Sequence, residues 1–358
     1  MTEAHAHEGG RAGIGMALGA AALFGLSTPL AKSLLAGVSP QVLAGLLYLG
    51  SGIGLGLLWL FRRLRPSPGR EAPLTRTDLP WLAGAIAAGG IVAPVLLMAG
   101  LATTPASSAS LLLNLEAVLT ALMAWIAFRE NVDRRIVLGM AAIVAGGALL
   151  SWAGKLTLAG ARGPLLVAAA CLGWAADNNL TQKVSAGDPV EIAGLKGLVA
   201  GAVNLTVGLM LGGALPGAGR VAGSLLVGFM GYGVSLVLYV LAMRDLGTAR
   251  TGAYFSLAPF VGALAGLALF REPVTPFFLL AVLLMGVGLW LHLTERHAHE
   301  HVHEPFRHRH RHVHDEHHRH RHGPQDPASE PHEHEHVHER LVHRHVHYPD
   351  IHHRHPHA

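Results

Sequence analysis

Apolar residues fill this chain in runs of membrane length, and short polar stretches between the runs hold most of the charge. A helix needs about 20 mostly apolar residues to cross the hydrocarbon core of a bilayer. Ten stretches read that way: 12–31, 38–61, 79–101, 104–128, 134–152, 163–183, 189–212, 221–243, 246–270 and 273–293. The pattern predicts an all-α membrane protein with ten transmembrane helices. After Leu293 the apolar runs stop and a polar, His-rich tail follows, 297–358. Too little of that tail is apolar to offset the entropy of ordering it, so it is expected to be a disordered cytoplasmic segment.

The ten stretches fall into two matching halves. Phe128-Arg129-Glu130-Asn131-Val132 and Phe270-Arg271-Glu272-Pro273-Val274 each close a long apolar run and precede a last one. Phe24-Gly25 and Leu172-Gly173 sit alike in each first span. Lys32 and Lys183 each close it, followed by Ser39-Pro40 and Asp188-Pro189. The repeats are 12–152 and 163–293, joined by the short linker Ala153–Arg162. Five spans is an odd number, so the second copy is expected upside down. Inverted repeats are an architecture of secondary transporters, whose sites lie near the midplane between the repeats. With the N-terminus inside, Lys and Arg concentrate in the inner loops (Arg62, Arg63, Arg65, Arg70 and Arg76 in one of them). This predicts that both termini are cytoplasmic.

Composition sharpens the class. The chain is 51% hydrophobic and 14% charged, against about 25% charged in soluble domains. The arginines sit at membrane edges, so the net charge of +4 does not argue for nucleic acid. The scarcity of lysine beside arginine, with much Ala, Gly and Leu, points to a bacterial cytoplasmic membrane. Gly15/Gly19, Gly52/Gly56, Gly197/Gly201 and Gly262/Gly266 have the spacing that lets helices approach closely in lipid. Cys171 lies alone within an apolar run and can form no internal disulfide.

With this ten-span duplication, Leu115-Glu116-Ala117 within Ser107–Glu130, and Arg-Glu ending the fourth and ninth spans, the chain resembles the EamA family of the drug/metabolite transporter superfamily. The resemblance covers both repeats, about 12–293. Family members typically show Glu-Pro in the fourth span. Here Glu116 is followed by Ala117, and the second repeat keeps the proline, Pro259, without the glutamate. The resemblance implies an exporter of small organic metabolites or drugs and leaves the substrate open.

Glu116 is the strongest candidate site residue. An ionised carboxylate midway along a span costs several kcal/mol unless it is paired or wet. Such a group is suited to alternate between a proton and a cationic partner, which predicts protons as the coupling ion. A structural carboxyl bonded to Asn114 or Ser110 is the alternative. Asp177-Asn178-Asn179 interrupts the sixth span, and three consecutive side chains spread over about 200° of a helix, so they cannot all face lipid. Ser27-Thr28-Pro29 is the matching region of the first repeat, and Pro29, Pro94 and Pro259 each free a backbone carbonyl. Tyr232, Ser235 and Tyr239 share a face that could line a pocket. Asn114 completes the set.

No glycine-rich phosphate loop or nucleophile elbow occurs, so gradients rather than catalysis are expected to drive the protein, with no required cofactor. The tail runs His308-Arg309-His310-Arg311-His312-Val313-His314 and His332-Glu333-His334-Glu335-His336-Val337-His338 offer imidazoles suited to Zn or Ni. Two rival functions follow from them: a divalent-metal exporter fed by the tail, and a membrane-anchored metal buffer or sensor. Whether the chain forms a homodimer is left open.

Overall fold

A backbone inside hydrocarbon must satisfy its own hydrogen bonds, and the helix does so within one segment. The computed structural model describes residues 3–64, 74–128, 134–151, 158–184, 188–246, 248–293, 298–303, 306–312, 332–338 and 341–346. Every one of the ten apolar stretches is helical. The first two are α1 (Glu3–Leu34) and α2 (Pro40–Leu64). The third, α3 (Leu79–Thr103), contains a π-helical turn, Ile86–Val92. The fourth is broken into α4 (Ala106–Leu112) and α5 (Leu115–Phe128). Then come α6 (Arg134–Ser151), α7 (Leu158–Thr181) and α8 (Pro189–Met210). The eighth stretch, α9, runs from Ala218–Gly228 through a second π turn, Phe229–Val234, into Ser235–Leu246. The ninth is again broken, into α10 (Thr248–Phe255) and α11 (Ala258–Phe270), and α12 (Pro276–Leu293) is last.

Among the described residues eight of these rods are long and apolar enough to cross a membrane, and Pro276–Leu291 of α12 is a shorter apolar helix. α7 carries Arg162 and the polar triplet. The two halves repeat the same irregularities: a π turn in the third and eighth stretches and a break in the fourth and ninth. As the helical reading of the sixth stretch requires, α7 runs unbroken through Asp177-Asn178-Asn179. Its side chains find polar partners, so the helical backbone need not open there.

Pro94 accounts for part of the first π turn. It has no N–H to offer the carbonyl of Gly90 four residues back, and the Asn204 amide donates to that oxygen instead, at 3.0 Å. The Gly89 carbonyl accepts from Tyr48 Oη at 2.8 Å and Trp174 Nε1 at 3.0 Å. A backbone defect in one rod therefore becomes a socket for side chains of three others.

Glycine sets the crossings between the halves. α2 meets α8 at Gly52 and Gly197. A Cβ on Gly197 would lie 2.6 Å from the Gly52 nitrogen, and one on Gly201 would lie 2.5 Å from that of Leu49. α1 meets α11 at Gly25 and Gly262, where a Cβ on Gly262 would lie 2.7 Å from the Gly25 carbonyl oxygen. Three expected packing glycines play no such part: Gly15 has open space where a Cβ would go, and Gly19 and Gly56 only ordinary contact.

The tail departs from the expectation of no structure. β1 (Ala298–His303) pairs antiparallel with β4 (Leu341–Val346), and β2 (Phe306–His312) with β3 (His332–His338). The period-two alternation of its sequence is the strand period, and the register sets Arg309 against Glu335 and Arg311 against Glu333. The register sets His308 against His336, His310 against His334 and His312 against His332. His314 lies outside the described residues.

Gly197→Ala should push α2 and α8 apart and lower stability by about 1–3 kcal/mol. Gly15→Ala should be neutral or slightly stabilising. Thermal unfolding of the two variants in detergent checks this, and equal midpoints would remove the glycine crossing from the account.

Candidate functional site

The π turn of α3, the middle of α7 and the first turns of α5 bring most of the polar groups of the helical body together. Asp177 is buried, and its Oδ1 lies 2.5 Å from Lys196 Nζ of α8. Thr181, one turn on, donates to the same oxygen at 2.8 Å and lies 3.2 Å from Lys196 Nζ. Gly89 gives Asp177 its place, because any side chain there would meet the carboxyl group. Both charges of this pair are thus spent on each other.

Glu116 sits differently. It is only half-buried, and its Oε1 accepts from the Asn178 amide at 2.9 Å. Asn178 is exposed and lies 3.4 Å from Thr120 Oγ1, one turn beyond Glu116 on α5. Among the described residues no Lys, Arg or His nitrogen comes within 4.0 Å of this carboxylate. The site therefore holds one carboxylate paired with a lysine and one held by an amide, on adjacent rods.

The other sequence-expected residues divide between this site and its surroundings. Asn179 turns to the Ala175 carbonyl of its own helix at 2.8 Å. Asn114 is buried at the break between α4 and α5, donates to Leu111 O at 2.9 Å and faces Met285 Sδ. It mends the break and does not touch Glu116; nor does Ser110, whose buried hydroxyl has no hydrogen-bond partner. Tyr232 and Tyr239 belong to a chain of rings. Tyr48 and Tyr232 lie 5.7 Å apart, Phe24 and Tyr232 6.0 Å, Phe24 and Phe255 5.4 Å, and Tyr239 and Phe255 4.8 Å, centroid to centroid. Ser235 instead donates to the Ala20 carbonyl at 2.9 Å, tying α9 to α1.

Lys196, Thr120, Tyr48 and Trp174 were not singled out from the sequence. Lys196 carried a readable signal, since a lone lysine in an apolar span needs a carboxylate partner. Tyr48 and Trp174 carried none, because their role depends on a π turn that only the packing reveals.

A second polar cluster closes one end of the bundle. Lys32 donates to the carbonyls of Leu101 and Thr104, completing the C-terminal end of α3. Glu272, from the loop after α11, accepts from the Ala106 and Ser107 backbone nitrogens, at 2.6 and 3.0 Å, and from the Ser107 hydroxyl. The turn between α3 and α4 is therefore held from both halves of the chain. Lys32 is more than a lipid-edge anchor, and Glu272 is a cap on a helix of the other repeat. Arg129 and Glu130 lie outside the described residues.

The model of the EamA-like transporter family matches residues 11–152 and again 161–294. The chain belongs to the EamA-like transporter family. It is a multi-pass membrane transporter. It is 30% identical over 264 residues to an uncharacterized transporter of Methanothermobacter thermautotrophicus, an alignment that covers 70% of this chain and 77% of the relative. A crystal structure of another protein, 18% identical, superposes with a TM-score of 0.57 over 77% of this chain and 94% of the other, and shows the fold alone. The two family matches meet in the same short linker that separates the repeats in the sequence.

In this EamA-like body, removing one partner of the Asp177–Lys196 pair strands a charge. Lys196→Met should destabilise by roughly 3–5 kcal/mol, and Asp177→Asn added to it should recover most of the loss. Unfolding midpoints of the single and double variants measure this. A double variant no more stable than Lys196→Met would show that the two residues are not coupled.

Proposed function

We propose that the protein is a secondary exporter of small organic metabolites or drugs, working by proton-coupled alternating access. Its ten rods form two inverted five-helix repeats in a bacterial cytoplasmic membrane, with both termini in the cytoplasm. The matching π turns and breaks support the duplication, and the Lys/Arg distribution supports the orientation. Lipid, substrate and protons are its partners.

The observation that carries this reading is the contrast between the two carboxylates. Asp177 is neutralised by Lys196 and fixes α7 against α8. Glu116 is held by one amide in a half-open position and has no cation within 4.0 Å among the described residues. A single free carboxylate between the repeats can pass between protonated and ionised forms as access alternates. Asn178 orients it, and Tyr232 and Tyr239 line the space beside it. Asn114 keeps the broken fourth rod in shape, and the repacking of such breaks gives the rods freedom to tilt against each other.

Among the described residues no group of three or more His, Cys, Asp and Glu side chains gathers to hold a metal. The metal-exporter reading therefore rests on the tail alone. For that tail we propose Zn or Ni capture by His308, His310, His312, His314, His332, His334, His336 and His338, separate from the transport path.

Glu116→Gln keeps size and hydrogen bonding but cannot titrate. In reconstituted vesicles screened with small organic solutes under an imposed pH gradient, the variant should fold normally and lose proton-driven net transport. Undiminished proton-driven movement in the variant would reduce Glu116 to a structural role.

A further inference from the structure

The two strand pairs of the tail turn a histidine-rich composition into fixed positions. Residues directly opposite in an antiparallel ladder share a face, and so do residues two apart along a strand. The β2–β3 register therefore sets His308, His310, His312, His332, His334 and His336 on one face, in three opposed pairs. The other face takes Arg309, Arg311, Glu333 and Glu335. The β1–β4 ladder repeats the arrangement. His299 stands against His345 and His301 against His343, and Glu300 stands against Arg344 on the other face. These four histidines are additional to the eight named above, and they belong to a separate two-stranded sheet.

The register is what makes these pairs. A slip of one residue moves a strand's whole set to the opposite face. Each histidine within the ladders would then stand against Arg, Glu or Val. In the register found, histidine meets histidine five times, three in β2–β3 and two in β1–β4. Opposed positions bring Cβ atoms to about 4.5–5.5 Å, whereas positions two apart on one strand lie about 6.6–6.8 Å apart. The opposed pair is the closer one, and two imidazoles on it can share an ion at the roughly 2.0–2.1 Å of a zinc–imidazole bond. Two ligands are half the four of a closed zinc site. An ion held this way keeps water in its other positions and exchanges readily.

Resting on the reading of the tail as a metal-capturing segment, we infer that it binds divalent transition metal as two rows of cross-strand histidine pairs, one ion to a pair, in β2–β3 and in β1–β4. The metal also acts as a staple. A two-stranded ladder alone is marginal in water, and a ligand that binds only the paired form stabilises that form. Loading of the tail and pairing of its strands therefore rise together. The rows lie after the last rod, so the protein carries a second ligand class apart from the solute of its helical bundle.

The test titrates Ni²⁺ alone into the purified full chain in detergent at about pH 7.5, with calorimetry counting the ions bound. His308→Ala, His310→Ala and His312→Ala together should remove about three ions. His332→Ala, His334→Ala and His336→Ala should remove the same three, and all six substitutions no more than either set alone. His299→Ala with His301→Ala, and His343→Ala with His345→Ala, should in the same way each remove the same two. Chelation by each His-x-His run on its own would make the losses of the two strands add, and additive losses would overturn the paired rows. At about pH 5.5 two imidazoles of pKa near 6.5 must each give up a proton to bind, so affinity should fall roughly a hundredfold, against about tenfold for a single histidine. A tenfold fall would also overturn the pairing. None of these histidines lies in the helical rods, so every variant should keep the native unfolding midpoint of the bundle. Truncation after Arg296 separates this inference from the reading beneath it. If it leaves Ni²⁺ binding unchanged, metal capture by the tail falls and the paired rows with it. If it abolishes binding while the histidine losses add, capture stands and the pairing falls.

Discussion

Polar groups within hydrocarbon have no water to fall back on, and each must find a partner inside the protein. The whole site is arranged by that requirement. Pro94 removes a donor, and Asn204 of α8 replaces it at the Gly90 carbonyl. Tyr48 and Trp174 meet at Gly89. Asp177 is compensated by Lys196 and Thr181. After these pairings, Glu116 is the carboxylate of this site whose hydrogen bond comes from an amide alone.

The same economy explains how the halves stay together without a hydrophobic drive between them. Lipid is as apolar as leucine, so contact must come from close backbone approach. Gly52 with Gly197 and Gly25 with Gly262 allow it at two crossings between the halves. At one end of the bundle, Lys32 and Glu272 replace glycine packing with charged caps on the turn between α3 and α4. A carboxylate of the second half is thus bonded to backbone of the first.

Much of this was legible in the sequence. Each of the ten apolar runs overlaps a helix or a broken helix, and the family model matches twice, over 11–152 and 161–294. Glu116, Asp177 and Asn178 stood out because charge and amide groups are expensive in an apolar span, and the structure brings them onto neighbouring turns. What the sequence hid was pairing. Nothing in the order of residues says that Asn178 turns to Glu116 while Asp177 turns to Lys196, or that Asn114 turns away to Leu111. The π turns escaped because they arise where Pro94, glycine and neighbouring donors meet in space. The tail was read from its lack of apolar residues, whereas its period-two alternation carried the strand signal.

Of the two carboxylates of this site, Glu116 is the one proposed to exchange protons, and Asp177 is paired with Lys196. Infrared difference spectroscopy across a pH titration of the reconstituted protein reads this directly, through the C=O stretch of a protonated carboxyl in an apolar setting. The account predicts such a band in the native chain, absent in Glu116→Gln and kept in the Asp177→Asn/Lys196→Met double variant. A band that survives Glu116→Gln and vanishes with Asp177→Asn would contradict it.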